Sequence, residues 1–185
     1  MIPSHLSTKP RASLTSGQAQ ASIQAPAYFK PARPLAANIV SYSPSPSKPT
    51  PAQAAGLRYE KRWHQFAAEH LGPSYQTFEN RQIAFSDEVY GWRTCRPDGI
   101  ALVGNVLYIF EVKIRHTADA YWQLEKLYKP VLSHFYPSTD KVLIEVTKNL
   151  DPSTPFPVDY HLMHGAEFLL GDSFKLDTFN VLLWS

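Results

Sequence analysis

Apolar residues recur with helical spacing just after residue 56. The members of this stripe are Tyr59, Trp63, Phe66, Ala67 and Leu71. One face of an α-helix repeats every three to four residues, so the spacing predicts an amphipathic helix. Gly72 and Pro73 follow the stripe directly and supply its end.

Shorter apolar runs further along the chain predict strands. Strand-like sequence surrounds residues 83–85, and two apolar runs at 100–103 and 106–110 are separated by Gly104 and Asn105. A two-residue turn whose first residue is glycine favours a type II′ hairpin. We therefore predict that the two runs form an antiparallel hairpin.

A second helix and a further strand are expected after this hairpin. Apolar residues at helical spacing predict a helix over 117–135, with a kink at Pro130. Alternation over 142–146 predicts the strand. The apolar stretches near 160–163 and 179–184 do not distinguish helix from strand.

The first 55 residues differ from the rest in composition. They contain nine of the sixteen prolines and five basic residues, but no Asp or Glu. Such a segment favours extended, solvated backbone, so we predict a disordered or extended basic arm over 1–55 and a folded domain over 56–185. A basic arm can follow phosphates or bind a protein partner, and it can equally be a linker.

Charge and composition exclude several classes of protein. The chain has a net charge of +2, and because the arm contributes five positive charges, residues 56–185 carry −3. No run of about 18 apolar residues exists, so we expect no membrane partner. A single cysteine, Cys95, excludes an internal disulfide and a cysteine-rich zinc site, and a reducing compartment such as the cytoplasm is expected.

The predicted hairpin brings two carboxylates together. If Val103 faces Val106, the cross-strand register places Asp98 opposite Glu111, and Lys113 shares their face. Neighbouring anions repel each other, and Mg²⁺ suits such a pair because it takes one or two carboxylates, water and substrate phosphate as ligands. The alternative is a surface ion cluster in which Lys113 alone neutralises the carboxylates.

The two halves of this pattern resemble a known nuclease motif. Asp98, preceded by Arg96 and Pro97, is followed thirteen residues later by the triplet 111–113, Glu-Val-Lys, and this resembles the PD-(D/E)XK nuclease superfamily. The resemblance implies an α/β, restriction-endonuclease-like fold whose αβββαβ core has a central mixed sheet flanked by helices. It also implies that Asp98, Glu111 and the Val112 carbonyl bind Mg²⁺ or Mn²⁺ and that Lys113 assists catalysis.

Two further positions fit the same resemblance. Glu60 flanks the buried face of the first helix, where many members place a metal-binding glutamate, although it can instead pair with His64. Gln123 and Tyr128 are similar to the Gln-hydrophobic-x-x-Tyr signature of the RecB-like branch, but the tyrosine comes one position late and Leu127 stands in its place. The resemblance implies a catalytic role for Gln123 and contact of Tyr128 with substrate.

Cationic residues near the motif are candidates for binding phosphate. Arg93 and Arg96 precede Asp98, and Arg115 and His116 follow the motif lysine. Basic side chains beside an active site commonly contact the nucleic acid backbone, although such side chains can also be merely solvated.

These observations predict a metal-dependent DNA nuclease. One alternative is a noncatalytic nuclease-fold module of a larger assembly, such as a virion, in which the arm binds a protein partner. Another is a Holliday-junction resolvase, which needs a dimer to cut two strands symmetrically. The resemblance makes a bacteriophage origin plausible, with the protein in the host cytoplasm or the virion. The choices between DNA and RNA and between endo and exo cleavage stay open.

Overall fold

The computed structural model describes residues 25–43, 48–151, 153–157, 159–165, 174–176 and 178–185. A six-stranded mixed sheet, a three-stranded antiparallel sheet and flanking helices make up the described part of the chain. This confirms the α/β class predicted from the sequence. Within the described residues, no helix has both the length and the apolar character needed to cross a membrane.

The elements follow one another in this order. The strands are β1 (Pro34–Ser41), β2 (Tyr75–Thr77), β3 (Arg81–Asp87), β4 (Gly91–Cys95), β5 (Gly99–Val103), β6 (Val106–Arg115), β7 (Asp140–Asn149), β8 (Tyr160–His164) and β9 (Phe179–Leu183). The helices are α1 (Pro51–Leu71), a short 3₁₀ turn (Gly72–Ser74), α2 (Ala118–Gln123), a π-helical turn (Leu124–Tyr128) and α3 (Lys129–Phe135).

Helix α1 begins at a capping box in front of the predicted apolar stripe. The Thr50 hydroxyl accepts a 3.3 Å hydrogen bond from the Gln53 N–H, and the Gln53 side chain accepts a 2.9 Å bond from the Thr50 N–H. These bonds satisfy donors that lack partners at a helix N-terminus, and Pro51 has no N–H to satisfy. The helix therefore starts at Pro51, and the predicted boundary at residue 56 falls inside it.

The larger sheet has the strand order β2-β5-β6-β7-β9-β8. Strands β2, β5 and β6 pair antiparallel, whereas β6, β7, β9 and β8 pair parallel. The parallel step from β6 to β7 is made through the helix over residues 118–135, which the sequence predicted over 117–135. The two undecided stretches near 160–163 and 179–184 are β8 and β9.

Different helices cover the two faces of this sheet. On one face, Trp63 of α1 packs into a cluster with Phe110. On the other, Leu124 and Val131 of the 118–135 helix share a cluster with Ile109. Successive side chains of a strand point to opposite faces, so the odd-numbered positions of β6 from Ile109 onwards face the 118–135 helix. Glu111 and Lys113 lie on that face, whereas the Val112 side chain packs on the other, in the cluster of Trp63.

The smaller sheet has the order β1-β3-β4, and its pairs are antiparallel. Strand β1 lies within residues 1–55, so the folded part of the chain includes some of the predicted arm. Only Ala37 of β1 is buried, which explains why the strand has no alternating apolar pattern in the sequence. Residues 1–24 and 44–47 of the predicted arm lie outside the described residues.

Residues 25–33 pack across the helix that begins at Ala118. The Tyr28 hydroxyl donates a 2.8 Å hydrogen bond to Asp119, and the Ala32 N–H donates a 2.7 Å bond to the Lys126 carbonyl. The Phe29 ring also lies against Trp122, with ring centroids 5.9 Å apart. This part of the predicted arm is therefore folded onto the domain.

The β5–β6 hairpin has the register expected from the sequence. Val103 pairs with Val106, and Gly99 pairs with Phe110. Gly104, the first turn residue, has φ +58°, a backbone conformation that glycine adopts without steric cost. The hairpin prediction is confirmed.

A π-helical turn interrupts the helix over residues 118–135. The Lys129 N–H bonds to the carbonyl of Leu124, five residues back, so this turn holds one residue more than an α-helical turn. Pro130, which has no N–H, follows in the first turn of α3. The irregularity expected at Pro130 is therefore a widened turn just before it.

Two glycine substitutions test the hairpin turn against the helix. A Cβ added at Gly104 or Gly56 would meet no atom within 4 Å, but Gly104 has a positive φ whereas Gly56 lies inside α1. We expect Gly104→Ala to lower the free energy of unfolding by about 1–2 kcal/mol. Gly56→Ala should raise it by about 0.4–1 kcal/mol. Urea denaturation measures both, and a Gly104→Ala chain of unchanged stability would contradict the turn geometry.

Candidate functional site

Asp98, Glu111 and Lys113 lie together at the open end of the β5–β6 hairpin. Asp98 directly precedes β5, and its Oδ2 accepts a 2.6 Å hydrogen bond from the Val112 N–H on β6. The Lys113 Nζ lies 2.5 Å from the Glu111 Oε1. The hairpin thus joins the two halves of the sequence pattern into one cluster.

The cluster disfavours the charged form of both carboxylates. Glu111 is 2% exposed, and burial raises its pKa above the ordinary value although Lys113 opposes the shift. Burial also raises the pKa of Asp98 well above its ordinary value, and the negative charge of Glu111 adds to this. Burial alone would lower the pKa of Lys113, but the two carboxylates outweigh it and raise that pKa. One lysine therefore faces two carboxylates, an excess of negative charge that a proton or a metal ion can offset.

One oxygen of this cluster has no hydrogen-bond partner. The Glu111 Oε2 is buried and accepts no well-formed hydrogen bond, because the nearby Tyr128 hydroxyl, which helps to lower the pKa of Glu111, donates to the Arg96 carbonyl instead. Mg²⁺ and Mn²⁺ prefer oxygen ligands of this kind, and they commonly bind through one or two carboxylates with water and phosphate completing the shell. Asp98, Glu111 and the Val112 carbonyl therefore fit a hard divalent cation. Among the residues that the structure describes, no three His, Cys, Asp or Glu side chains are grouped closely enough to hold a metal ion.

Glu60 approaches the cluster from α1 but is paired with another residue. Its Oε1 lies 3.3 Å from the His64 Nε2, one turn along the helix. The negative charge of Glu60 helps to raise the pKa values of Asp98 and Glu111, although burial and the charges closer to them have larger effects. The pairing with His64 that the sequence offered as an alternative is present, and direct metal binding by Glu60 stays a prediction.

The π-helical turn aligns Gln123 with Tyr128. In a regular α-helix, residues four apart lie on the same face. Because the π-helical turn contains one extra residue, residues five apart lie on the same face here. Tyr128 is 4% exposed, and its pKa is raised by burial and then by the charges of Glu111 and Asp98. Its hydroxyl donates a 3.2 Å hydrogen bond to the Arg96 carbonyl. Tyr128 therefore packs beside the carboxylates, and its hydroxyl is used in a bond to the protein and not in the predicted contact with substrate.

Gln123 borders a surface cavity of about 290 Å³. Residues 28–30 form one wall of this cavity, and Asp119 and Leu127 of the helix form another. The Gln123 Oε1 is buried and has no hydrogen-bond partner, so it is free to bind a water or a ligand. The sequence did not indicate that a folded part of the arm would lie beside Gln123.

Two of the four cations predicted to bind substrate are used in structural contacts. Arg93 donates to the Asp87 carboxylate at 2.9 Å and to the backbone carbonyls of residues 30–31, and so it fastens the N-terminal segment to β4. His116 is 1% exposed, and its Nδ1 lies 2.6 Å from Glu145. Both ring nitrogens of His116 lie against protein oxygen atoms, and Arg93, although it also lines the cavity beside Gln123, is held by its bonds to Asp87 and to two carbonyls; in this arrangement both side chains have structural roles.

The other two predicted cations lie on the surface. Arg115 is exposed at the end of β6. Arg96 is also exposed, and its guanidinium lies 4.5 Å from the centroid of the Tyr42 ring. Either side chain can reach phosphate without leaving a buried partner.

A buried carboxylate beside the cluster was missed in the sequence. Glu145 of β7 is fully buried, and its Cα pairs with that of Glu111 on the neighbouring strand. It accepts a 3.2 Å hydrogen bond from the Thr117 N–H in addition to its contact with His116. The available signal was one acidic residue inside the apolar run 142–146, where a charge is costly unless it is paired.

The chain matches no protein-family model, no curated protein and no solved structure. Any assignment of function therefore depends on the residues and the geometry described above.

Substitution of Arg93 should affect stability, whereas the same change at Arg115 should not. We expect Arg93→Ala to lower the free energy of unfolding by about 2 kcal/mol, because the buried Asp87 carboxylate loses a charged hydrogen-bond donor. Arg115→Ala, at an exposed position, should stay within about 0.5 kcal/mol of the unsubstituted chain. Urea denaturation compares them, and equal stabilities would contradict the structural role of Arg93.

The raised carboxylate pKa values predict how stability depends on pH in EDTA. The folded chain keeps protons on Asp98 and Glu111 at pH values where the unfolded chain, with ordinary pKa values of 3.8 and 4.5, has released them. Folding is therefore favoured below those ordinary values and loses that advantage as the pH rises through the raised values. Near neutral pH, Asp98→Asn should have a higher Tm than the unsubstituted chain, by about 2–4 °C for each kcal/mol of difference in the free energy of unfolding. This difference in Tm should shrink as the pH is lowered.

Asp87→Asn is the control, because the pKa of Asp87 is shifted in the opposite direction to that of Asp98. Burial disfavours the charge of Asp87, but hydrogen bonds from three backbone N–H groups and from Arg93 outweigh it and lower the pKa. This stabilisation is present above the ordinary value of 3.8 and is lost as the pH falls through the lowered pKa. Asp87→Asn should therefore cost most stability at neutral pH. If thermal unfolding gave the two variants the same pH profile, the environment assigned to Asp98 would be wrong.

Proposed function

We propose that this protein is a metal-dependent deoxyribonuclease that hydrolyses phosphodiester bonds. The observation that carries the proposal is the cluster of Asp98, Glu111 and Lys113, in which a half-buried and a buried carboxylate face one lysine and the Glu111 Oε2 accepts no well-formed hydrogen bond. A site with uncompensated negative charge and a free carboxylate oxygen is suited to Mg²⁺ or Mn²⁺.

The order of elements supports membership of the PD-(D/E)XK superfamily. Helix α1 is followed in the larger sheet by β2, β5 and β6, then by the 118–135 helix and the parallel strand β7. With β3 and β4 regarded as an insertion, this is an αβββαβ sequence whose motif residues lie at the start of β5 and on β6. The alignment of Gln123 with Tyr128 supports the RecB-like branch in the same way.

The roles of the residues follow from their positions. Asp98, Glu111 and the Val112 carbonyl would hold the metal ion, which when bound polarises a phosphoryl oxygen and lowers the pKa of a water ligand. Glu111 holds the Lys113 ammonium within the cluster, where Lys113 orients the attacking water and offsets negative charge that develops on the phosphate. The free Gln123 Oε1 accepts a hydrogen bond from a water or from the substrate.

Local cations rather than overall charge would bind the DNA. Residues 56–185 carry −3, so the domain as a whole does not attract phosphate. Arg96 and Arg115 are exposed near the two halves of the motif and supply positive charge there. The free, buried thiol of Cys95 agrees with a reducing compartment, the cytoplasm of a cell or of a bacteriophage host.

The proposal is tested by incubating the purified chain with supercoiled, linear and branched DNA and with RNA, in Mg²⁺, Mn²⁺ or EDTA. We expect metal-dependent cleavage of DNA. Asp98→Ala and Lys113→Ala should each reduce the rate at least about 100-fold, because each removes a group that acts on the reacting phosphate or water. Circular dichroism should show that both variants stay folded.

Lys129→Ala is the matched control for Lys113→Ala. Lys129 also pairs with a glutamate, at 3.2 Å from Glu125, but the pair lies on the 118–135 helix and outside the cluster. Its substitution should leave cleavage unchanged. A chain that cuts no substrate with either metal ion would overturn the proposal in favour of a noncatalytic nuclease-fold module, and symmetric cutting of branched DNA by a dimer would identify a junction resolvase.

A further inference from the structure

A carboxylate, an imidazole and a hydroxyl form a chain from α1 to the sheet edge beside Asp98. The Glu60 Oε1 lies 3.3 Å from the His64 Nε2, and the His64 Nδ1 lies 2.6 Å from the Tyr75 hydroxyl. His64 and Tyr75 are only 7% and 8% exposed. A neutral imidazole satisfies all three groups if its Nε2–H donates to Glu60 and its Nδ1 accepts from Tyr75.

The Tyr75 ring fills the space that a side chain at Gly99 would need. A Cβ at residue 99 would lie 2.5 Å from the Tyr75 hydroxyl oxygen and 2.8 Å from its Cζ. Tyr75 pairs with Ala101 on β5, so its ring reaches Gly99 diagonally across the strands, and it packs edge-on against Phe110 with centroids 5.7 Å apart. Residue 99 must therefore be glycine because an aromatic ring is already in place.

This contact lies next to the metal-binding cluster. Asp98 directly precedes Gly99, so the backbone that carries the Asp98 carboxylate rests on the Tyr75 ring. Tyr75 belongs to β2, an edge strand of three residues that is paired only with β5 in the larger sheet. The hydrogen bond to His64 ties the ring to α1 and limits its movement.

We propose that Glu60, His64 and Tyr75 are positioning residues that hold the Asp98–Gly99 backbone in place and thereby set the affinity of the cluster for divalent cations. The inference rests on the proposed function, because it takes Asp98 and Glu111 as metal ligands. It gives Glu60 a role that acts through His64 and needs no contact with the metal. Residues that orient metal ligands through hydrogen bonds typically change metal affinity by about 10–100-fold.

Mn²⁺ binding to the full-length chain tests the inference. Tyr75→Phe keeps the ring against Gly99 but removes the hydroxyl, and we expect it to raise the Mn²⁺ Kd about tenfold by isothermal titration calorimetry. At saturating Mn²⁺ its cleavage rate should return close to that of the unsubstituted chain, because Asp98, Glu111 and Lys113 are intact. A purely structural role would not produce this split between metal affinity and saturated rate.

Tyr59→Phe is the matched control. Tyr59 is 5% exposed on α1, and its hydroxyl donates a 2.8 Å hydrogen bond to the Trp184 carbonyl, so the same atom is lost from a buried bond that does not lead to Asp98. Its Mn²⁺ Kd should stay within about twofold of the unsubstituted value. A loss of affinity equal to that of Tyr75→Phe would indicate general destabilisation and overturn the inference.

His64→Phe breaks the same chain from the helix side and gives a second result if Tyr75→Phe does not fold. Unchanged Mn²⁺ affinity in the folded variants, with binding abolished by Asp98→Asn, would overturn the inference and leave the proposed function standing. If the unsubstituted chain bound no more Mn²⁺ than Asp98→Asn, the metal site would be wrong, and the inference would fall with it.

Discussion

The antiparallel pairing of β5 with β6 brings two acidic residues from separate parts of the chain to one face of a sheet that is otherwise apolar there. Directly opposed residues project from the same face, so the register that pairs Gly99 with Phe110 also brings Asp98 beside Glu111. Ile109 and the 118–135 helix cover the same face, and Glu111 is buried there. The surrounding contacts, which include the Gly104 turn and the helices on both faces of the sheet, must offset the free-energy cost of burying these carboxylates.

Two buried glutamates on neighbouring strands offset the free-energy cost of burying a carboxylate in different ways. Glu145 has the His116 imidazole on one oxygen and the Thr117 N–H on the other. Glu111 has Lys113 on one oxygen and no well-formed hydrogen bond on the other. The first arrangement is complete within the protein, as expected of a structural carboxylate, whereas the second leaves a position for a ligand from solution. An incompletely used hydrogen-bonding capacity is thus what distinguishes Glu111, the candidate metal ligand, from Glu145.

Local patterns in the sequence were sufficient for the main elements, and long-range contacts explain most of what they missed. The stripe around Trp63 and the turn at Gly104 act within a few residues, and both elements form as predicted. Strand β1 could not be recognised because it pairs with β3 across about 45 residues of chain and buries only Ala37. Arg93 was taken for a surface cation because its partners, Asp87 and the carbonyls of residues 30–31, are not apparent until the chain folds.

The π-helical turn has a consequence for how this chain is compared with others. A regular α-helix advances about 100° per residue, so the single extra residue within Leu124–Tyr128 turns every side chain beyond it relative to those before it. If this helix were aligned without a gap to a regular α-helix, Leu127 would be matched to the residue that lies where Tyr128 lies in space. Comparison with a protein whose helix is regular therefore needs a one-residue gap inside this helix before Tyr128 and the residue aligned with it coincide in space.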